Sequence, residues 1–473
     1  MLIGRKKEIE ILNESYKSEY TSFVAVYGRR GIGKTFLVRS LLDEKITFQH
    51  EGIFQGNFKE QLFAFASSLK KAGMNDFSMP NNWSEAFVLL KDLIKNSNSK
   101  KKVIFLDEVA WMDTPRSDFI MALEYFYNSW AEARKDVMLI ICSSVTSWIV
   151  KKVLRNRGGL YNRLTNQIYL KPFTLNECEK YCEYEKLALN KKQIIQAYMV
   201  IGGVSYYWNY YKKGLSIPQF IDECFFVENA PLSNEFDYLF SSLFRYPKDY
   251  IEIVETLSNK KIGLTRQEIL KEMNVIDNGA FSDKLEDLIN CGLIRRYLPY
   301  GKKLRDTIYQ LIDPLTIFHL HFGNNKNVDN SFWSNQVNIP TINAWEELAF
   351  ERVCILHSNC IKRSLGISGV YTSIYPWSCQ RDIDNGIYGS QIDMVIERKD
   401  DIINLVEIKF NSSPYAISQK YMNDIYRKKE DFVNCTNTKS AIHITFVTLN
   451  GLEENSYYKE IQSDISSDEL FAE

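Results

Sequence analysis

Three apolar runs punctuate the first third of the chain: "SFVAVY" at 22–27, "KKVIFLDEV" at 101–109 and "DVMLIICSSV" at 136–145. Their apolar cores are continuous rather than alternating, the pattern of strands buried on both faces of a parallel sheet. Residues 45–100, rich in Phe and Lys, read as helices covering that sheet. Further on, "LTRQEILKEMNV" and "NGAFSDKLEDLINCGLIRRYLPYGKKLRDTIYQLIDP" predict two amphipathic helices followed by a β-hairpin. The polar stretch "GNNKNVDNSFWSNQVNIP" (323–340) reads as a linker, and "TINAWEELAFERVCILHSNCI" after it returns to helical spacing. Near the C-terminus "QIDMVIERKDDIINLVEIKF" reads as two strands around a charged turn at Lys399, Asp400 and Asp401.

That hairpin raises a question of charge. A three-residue turn pairs positions whose numbers sum to 800, which sets Asp393 opposite Glu407, on the face that Leu405 and Lys409 share. Opposed residues hold their Cβ atoms about 4.5–5.5 Å apart, so two carboxylates there destabilise the sheet unless a cation lies between them. A divalent metal with oxygen ligands accounts for both acids, with Lys409 polarising a water beside it. The alternative is a solvated face with incidental charges, although Val395 and Leu405 make that face look covered near the turn.

Composition narrows the class. At 473 residues the chain has room for about three domains, and 45% hydrophobic content supports packed cores. With 58 basic and 59 acidic side chains the net charge is −1, so any contact with nucleic acid must come from local patches. Nine cysteines without a CxxC pair suggest reduced thiols. Apolar runs such as "VMLII" (137–141) are too short to span a bilayer and the N-terminus lacks a signal-peptide pattern, so no membrane partner and a cytoplasmic location are expected.

The first strand runs into Gly28-Arg29-Arg30-Gly31-Ile32-Gly33-Lys34-Thr35-Phe36 and then into a helical pattern, the context of a phosphate-binding loop. Its backbone N–H groups would cradle the β-phosphate of ATP, Lys34 would neutralise the β- and γ-oxygens, and the Thr35 hydroxyl would meet Mg²⁺. Asp107 and Glu108 end the second strand at the edge where ligands bind, Asp107 to hold Mg²⁺ and Glu108 to activate the attacking water. Ser143 and Ser144 end the third, and either sense the γ-phosphate or cap a helix. Arg163 in "RNRGGLYNRLTNQIYL" is placed to reach a nucleotide phosphate in its own subunit or a neighbour's, with Arg155 and Arg157 competing for the role.

Together, "IGRKKEIEIL", the phosphate loop, "FLDEV", "GGLYNRL", "KPFTLNE" and "IGGVSYYW" resemble, in their order, the STAND-related AAA+ ATPases of archaea and bacteria. The resemblance implies an α/β chain: a P-loop NTPase parallel sheet (1–170), a helical lid (171–245), a winged helix-turn-helix (246–322), the linker (323–340) and a restriction-endonuclease-like α/β domain of the PD-(D/E)xK type (341–473). By that pattern Glu351 in "LAFERVC" joins Asp393 and Glu407 as ligands of a catalytic Mg²⁺ or Mn²⁺, and Lys409 orients the water. Glu346 and Glu347 are the local competitors, expected on the outer face. Gln391-Ile392-Asp393 lacks the proline that often precedes the aspartate.

DNA is the expected partner, through the nuclease-like domain and through Arg295, Arg296, Lys302, Lys303 and Arg305 on the wing. Self-association would let Arg163 act on a neighbour. The helix before the wing carries Asp283, Glu286 and Asp287 against Lys284, so backbone contact or intramolecular docking is expected rather than base reading. Two functions follow: an ATPase whose nucleotide state regulates a metal-dependent DNA nuclease, or an ATPase switch whose C-terminal domains only bind DNA or a protein.

Overall fold

The computed structural model describes residues 2–472 except 156–157, 161, 324–328, 338, 383 and 385. The chain forms two compact units. The first comprises Met1–Pro172, Asp237–Pro247 and Asp283–Cys291; the second comprises Phe173–Phe236, Lys248–Ser282 and Gly292–Glu473. These units cut across the expected boundaries, because most of the predicted lid falls with the C-terminal part.

The first unit is built on a parallel five-stranded sheet of β1 (Ser22–Tyr27), β2 (Ile46–Glu51), β3 (Lys102–Asp107), β4 (Val137–Ser143) and β5 (Asn166–Tyr169) in the order β2-β3-β4-β1-β5. β1 and β4 are buried at every position, as continuous apolar strands covered on both faces must be. Phe23, Phe65, Trp83, Phe87, Phe119 and Phe126 pack beside the sheet in one core. β2, "ITFQHE", is a strand within the 45–100 stretch expected to be helical; its polar Gln49, His50 and Glu51 suit an edge position and hide it from an apolar-run criterion.

In the second unit β6 (Leu264–Thr265), β7 (Ile294–Tyr297) and β8 (Ile308–Leu311) make a small antiparallel sheet ordered β6-β8-β7. A mixed five-stranded sheet follows: β9 (Thr372–Ser378), β10 (Gln391–Arg398), β11 (Ile402–Lys409), β12 (Ala441–Thr448) and β13 (Ser463–Ile465), ordered β13-β12-β11-β10-β9. The β10–β11 hairpin has the expected register, with Met394 opposite Val406 and Val395 opposite Leu405. The helix Gln419–Thr436 contributes Met422, Ile425 and Phe432 to the same core as Val395, Ile403 and Leu405, so the hairpin face is covered, not solvated.

Three expectations need correction. The 323–340 stretch is not wholly a linker: Trp333 is buried against Phe318, Phe322 and Trp345, and Asp222 accepts bonds from the Trp333 (2.7 Å) and Ser334 (3.0 Å) amides. The aromatic pair inside the polar run supplies the driving force for docking. Arg295 is not a free wing cation. It bonds to Gln310 (2.7 Å), lies 5.0 Å from the Tyr297 ring, and burial lowers its guanidinium to about 10; Arg296, Lys302, Lys303 and Arg305 remain exposed. Glu346 is half-buried and accepts a bond from Gln196 (2.9 Å), whereas Glu347 is exposed as expected.

The helix Gly279–Asn290 that precedes β7 is held by intramolecular contacts. Lys151 pairs with its buried Asp287 (2.7 Å), and Tyr169 donates to the Asn290 carbonyl (3.3 Å), both within the first unit. Asp287 therefore serves internal packing, while Asp283 is exposed.

Candidate functional site

The phosphate loop lies at the carboxyl end of β1. Gly28 has φ +144°, and a Cβ there would come within 2.2 Å of the Leu170 carbonyl oxygen, so no larger residue fits. The helix Lys34–Leu42 starts directly after the loop and points its N-terminal amides at the site. Lys34 is buried, and its ammonium donates to the Arg29 carbonyl (3.0 Å), held against the loop that would receive phosphate. Arg30 and Phe36 are exposed; Ile32 is buried beneath the loop.

The Thr35 hydroxyl donates to Asp107 Oδ2 (2.6 Å), and the Glu108 amide donates to Asp107 Oδ1 (2.9 Å). Asp107 is 1% exposed, yet among the described residues no lysine or arginine pairs with it. A buried carboxylate bonded to hydroxyl, amide and thiol donors, none of them a cation, is open to an incoming cation. Together with the adjacent Thr35 oxygen, this fits Mg²⁺ of a bound nucleotide.

Glu108 adopts a left-handed backbone (φ 49°) after β3, and its Oε2 accepts from both the amide (3.0 Å) and hydroxyl (2.7 Å) of Ser144. Ser143 is fully buried and its hydroxyl accepts from the Val145 amide (3.1 Å). The two serines thus differ: Ser143, named as a nucleotide contact, closes a local turn onto the Val145 amide and caps no helix, since the helix Thr146–Ile149 has no side-chain cap, whereas Ser144 reaches the acid. Sequence reasoning also missed Glu51, which aligns with Asp107 across the β2–β3 pair. Burial and then the charges of Asp107 and Glu108 raise its carboxyl above the ordinary range, a third acid at this edge.

Arg163 does not sit at its own phosphate loop. It precedes β5, at the amino ends of the parallel strands, where Thr165 bonds to the start of β1 (3.0 Å) and Glu132 pairs with the Arg163 guanidinium. The phosphate loop is at the opposite end, so the own-subunit role is corrected. Arg155 is exposed, and Arg157 lies outside the described residues.

The second acidic centre belongs to the five-stranded sheet. Ladder pairing ends at Met394–Val406, and a register irregularity in β10 lies between Ile392 and Val395. Asp393 therefore leaves the ladder, and its Oδ2 accepts from the Ile408 amide (3.1 Å). Glu351, on the helix Pro340–Leu356, and Asp393 are bridged by one ammonium, Lys261 Nζ, at 2.8 and 3.3 Å. Glu407 is 3% exposed, receives Lys428 at 2.8 Å on both oxygens, and accepts from the Tyr421 hydroxyl (2.5 Å). Lys409 places its ammonium 5.0 Å from the Tyr421 ring centre.

The electrostatics follow from this wiring. Burial works to lower the Lys261 ammonium, but Glu351 and Asp393 outweigh it and raise it. One ammonium faces two carboxylates, so burial and the charge of Asp393 push Glu351 up to about 8 despite Lys261. Burial and Asp393 raise Glu407 as well, eased by Lys428. Among the described residues no three His, Cys, Asp or Glu side chains group to hold a metal ion. As arranged, Glu351, Asp393 and Glu407 do not fit a metal: two lysines already occupy them. The cations sought by the hairpin carboxylates are Lys261 and Lys428, and neither had a signal in the sequence beyond being lysine.

Comparison with known proteins bears on the first unit. Residues 2–209 match the family model of an ATPase domain predominantly from Archaea. Across 437 residues the chain is 22% identical to an uncharacterized protein of Methanocaldococcus jannaschii, covering 91% of this chain and 92% of that one. A 45-residue stretch is 36% identical to an uncharacterized ATP-binding protein of the same organism, 10% of this chain and 76% of that one. Among solved structures, a Walker-type ATPase of Pyrococcus abyssi is similar at 15% identity and TM-score 0.48, covering 68% of this chain and 96% of that one. The ORC2 protein of Aeropyrum pernix is similar at 13% identity and TM-score 0.34, covering 75% and 95%. No helix among the described residues is long and apolar enough to cross a membrane. Residues 2–209, which hold the phosphate loop, Asp107 and Glu108, are thus similar to an ATPase domain predominantly from Archaea.

Proposed function

We propose that the protein is an ATP-hydrolysing switch whose nucleotide state controls its C-terminal domains. The observation that carries this reading is the buried Asp107, bonded to Thr35 and to the Glu108 amide but, among the described residues, to no cationic side chain. Thr35 and Asp107 would hold Mg²⁺, which supplies charge neutralisation at the β- and γ-phosphates when bound. Loop amides and Lys34 bind the phosphates; Lys34 leaves the Arg29 carbonyl to do so. Glu108 accepts a proton from, or orients, the attacking water, and Ser144 fixes its carboxylate. Exchange of the Ser144 bond for a contact with water or nucleotide gives the site two states. In an oligomer, Arg163 would release Glu132 and stabilise a neighbour's γ-phosphate. The test is steady-state ATP hydrolysis by the full chain against Lys34→Ala and Glu108→Gln: loss in both supports the reading, and unchanged turnover in both refutes it.

A second reading, in which the switch controls a metal-dependent DNA nuclease, is favoured by one observation: Glu351, Asp393, Glu407 and Lys409 lie around the β10–β11 hairpin, where the resemblance expects a catalytic centre. The exposed Arg296, Lys302, Lys303 and Arg305 would supply backbone contacts to DNA. Cleavage of linear and circular DNA with Mg²⁺ or Mn²⁺, with and without ATP, in wild type and Lys409→Ala tests it. A wild-type chain that leaves every substrate intact while hydrolysing ATP leaves the switch without a nuclease.

A further inference from the structure

The expected metal ligands and their observed partners disagree, and the disagreement has a specific cause. Lys261 reaches the carboxylates from outside both elements that carry them, 90 positions before Glu351 and 132 before Asp393. Its backbone is fixed: Gln310 donates to the Lys261 carbonyl (2.7 Å), and the Tyr297 hydroxyl donates to the Ile262 carbonyl (2.6 Å). The turn closes through the Gly263 amide on the Lys260 carbonyl (3.0 Å). Gly263 has φ +98°, and a Cβ there would meet the Tyr309 carbonyl oxygen at 2.2 Å, so this turn admits only glycine. Gln310, which holds the Lys261 carbonyl, is itself held by Arg295 (2.7 Å).

We infer that Lys261 is the resident cation of the Glu351–Asp393 pair and determines what that pair binds: with the ammonium seated, a divalent metal is excluded. The ammonium bonds to both carboxylates at 2.8 and 3.3 Å, so its charge lies where a shared metal ion would otherwise neutralise the pair. Withdrawal of the ammonium leaves two buried carboxyl groups facing the same space without it, a set of hard oxygen donors that suits a divalent ion. Lys261 side-chain exposure is 26%, against 11% and 12% for its partners. The lysine is the most exposed member of the three, the one nearest a route to solvent. This deepens the nuclease reading and rests on it for its use, but its test needs no cleavage.

The experiment measures Mn²⁺ binding to the nucleotide-free full chain by calorimetry and electron paramagnetic resonance. Lys261→Met is expected to bind Mn²⁺ at least about tenfold more tightly than wild type. Lys261→Arg, which keeps the charge, is expected to match wild type, and Lys261→Met with Asp393→Asn is expected to lose the gain. The inference is overturned if wild type already binds as tightly as Lys261→Met and Asp393→Asn abolishes it. It is equally overturned if Lys261→Met, folded by circular dichroism, gains nothing. Should Lys261→Met fail to fold, Lys261→Gln, which keeps a polar group for both carboxylates, is read by the same criteria. DNA left uncut by the Mn²⁺-bound variant would end the nuclease reading alone, leaving the assignment of Lys261 intact.

Discussion

Two acidic centres sit at strand ends in this molecule, and they are wired in opposite ways. Asp107 is buried against a hydroxyl and an amide, neither of which carries charge. Glu351, Asp393 and Glu407 are buried against tethered ammonium groups. A carboxylate held by neutral donors retains its full attraction for an incoming cation, whereas one paired with lysine has spent it internally. On the function proposed above, the contrast separates a site open to Mg²⁺ and nucleotide from one whose acids are already paired with lysine. Acid patterns in sequence alone do not distinguish these cases; the partner of each oxygen does.

The comparison is broken most severely at the first centre. Glu108→Gln is expected to slow ATP hydrolysis by about a hundredfold to ten-thousandfold, the range for losing a positioned general base, with nucleotide binding retained. Turnover and binding of a fluorescent ATP analogue, measured together, check it; loss of binding instead would remove Glu108 from the chemistry. At the second centre Lys428→Met strands the buried Glu407, and chemical denaturation is expected to register a loss of about 3 kcal/mol, the cost of breaking a buried pair. An unchanged midpoint would mean that the pair is solvated.

A gentler probe is pH. Glu351 lies near 8 in the folded chain against an ordinary 4.5, so the folded state holds a proton that the unfolded state releases. Its contribution is present below about 4.5 and is lost as pH rises toward 8, by at most about 1.4 kcal/mol per pH unit. Denaturation midpoints between these limits should fall in wild type and fall less in Glu351→Gln. His357 works in the other direction: its Nδ1 faces the Val353 carbonyl (2.8 Å) while Nε2 accepts from the Leu175 amide (3.0 Å), which requires the neutral ring. Burial lowers it to about 4, so its contribution is lost as pH falls from about 6.5 to about 4. The smallest expected effect is at Ser144: Ser144→Ala should reduce turnover by about tenfold, one charged hydrogen bond, and Ser143→Ala by less. Equal effects would erase the distinction between the two serines.

The sequence was most informative where chemistry is local. Gly28 to Thr35 is contiguous, Asp107 and Glu108 end one apolar strand, and the hairpin register followed from turn length, so the geometry of each was legible. What escaped is non-local. Lys261 and Lys428 are unremarkable in sequence and meaningful only through contacts across 90 and 21 positions. β2 was hidden by its polar edge composition, Trp333 by the polar residues around it, and the burial of Arg295 by a charge pattern that matched a wing. The own-subunit role of Arg163 failed because a motif's order along the chain does not tell which end of the sheet it occupies.

The most direct test of the contrast is to count Mn²⁺ bound to the wild-type chain in the presence of a non-hydrolysable ATP analogue, with Asp107→Asn and Asp393→Asn alongside. The account predicts a single ion that Asp107→Asn abolishes and Asp393→Asn leaves in place. An ion that survives Asp107→Asn and disappears with Asp393→Asn would contradict it.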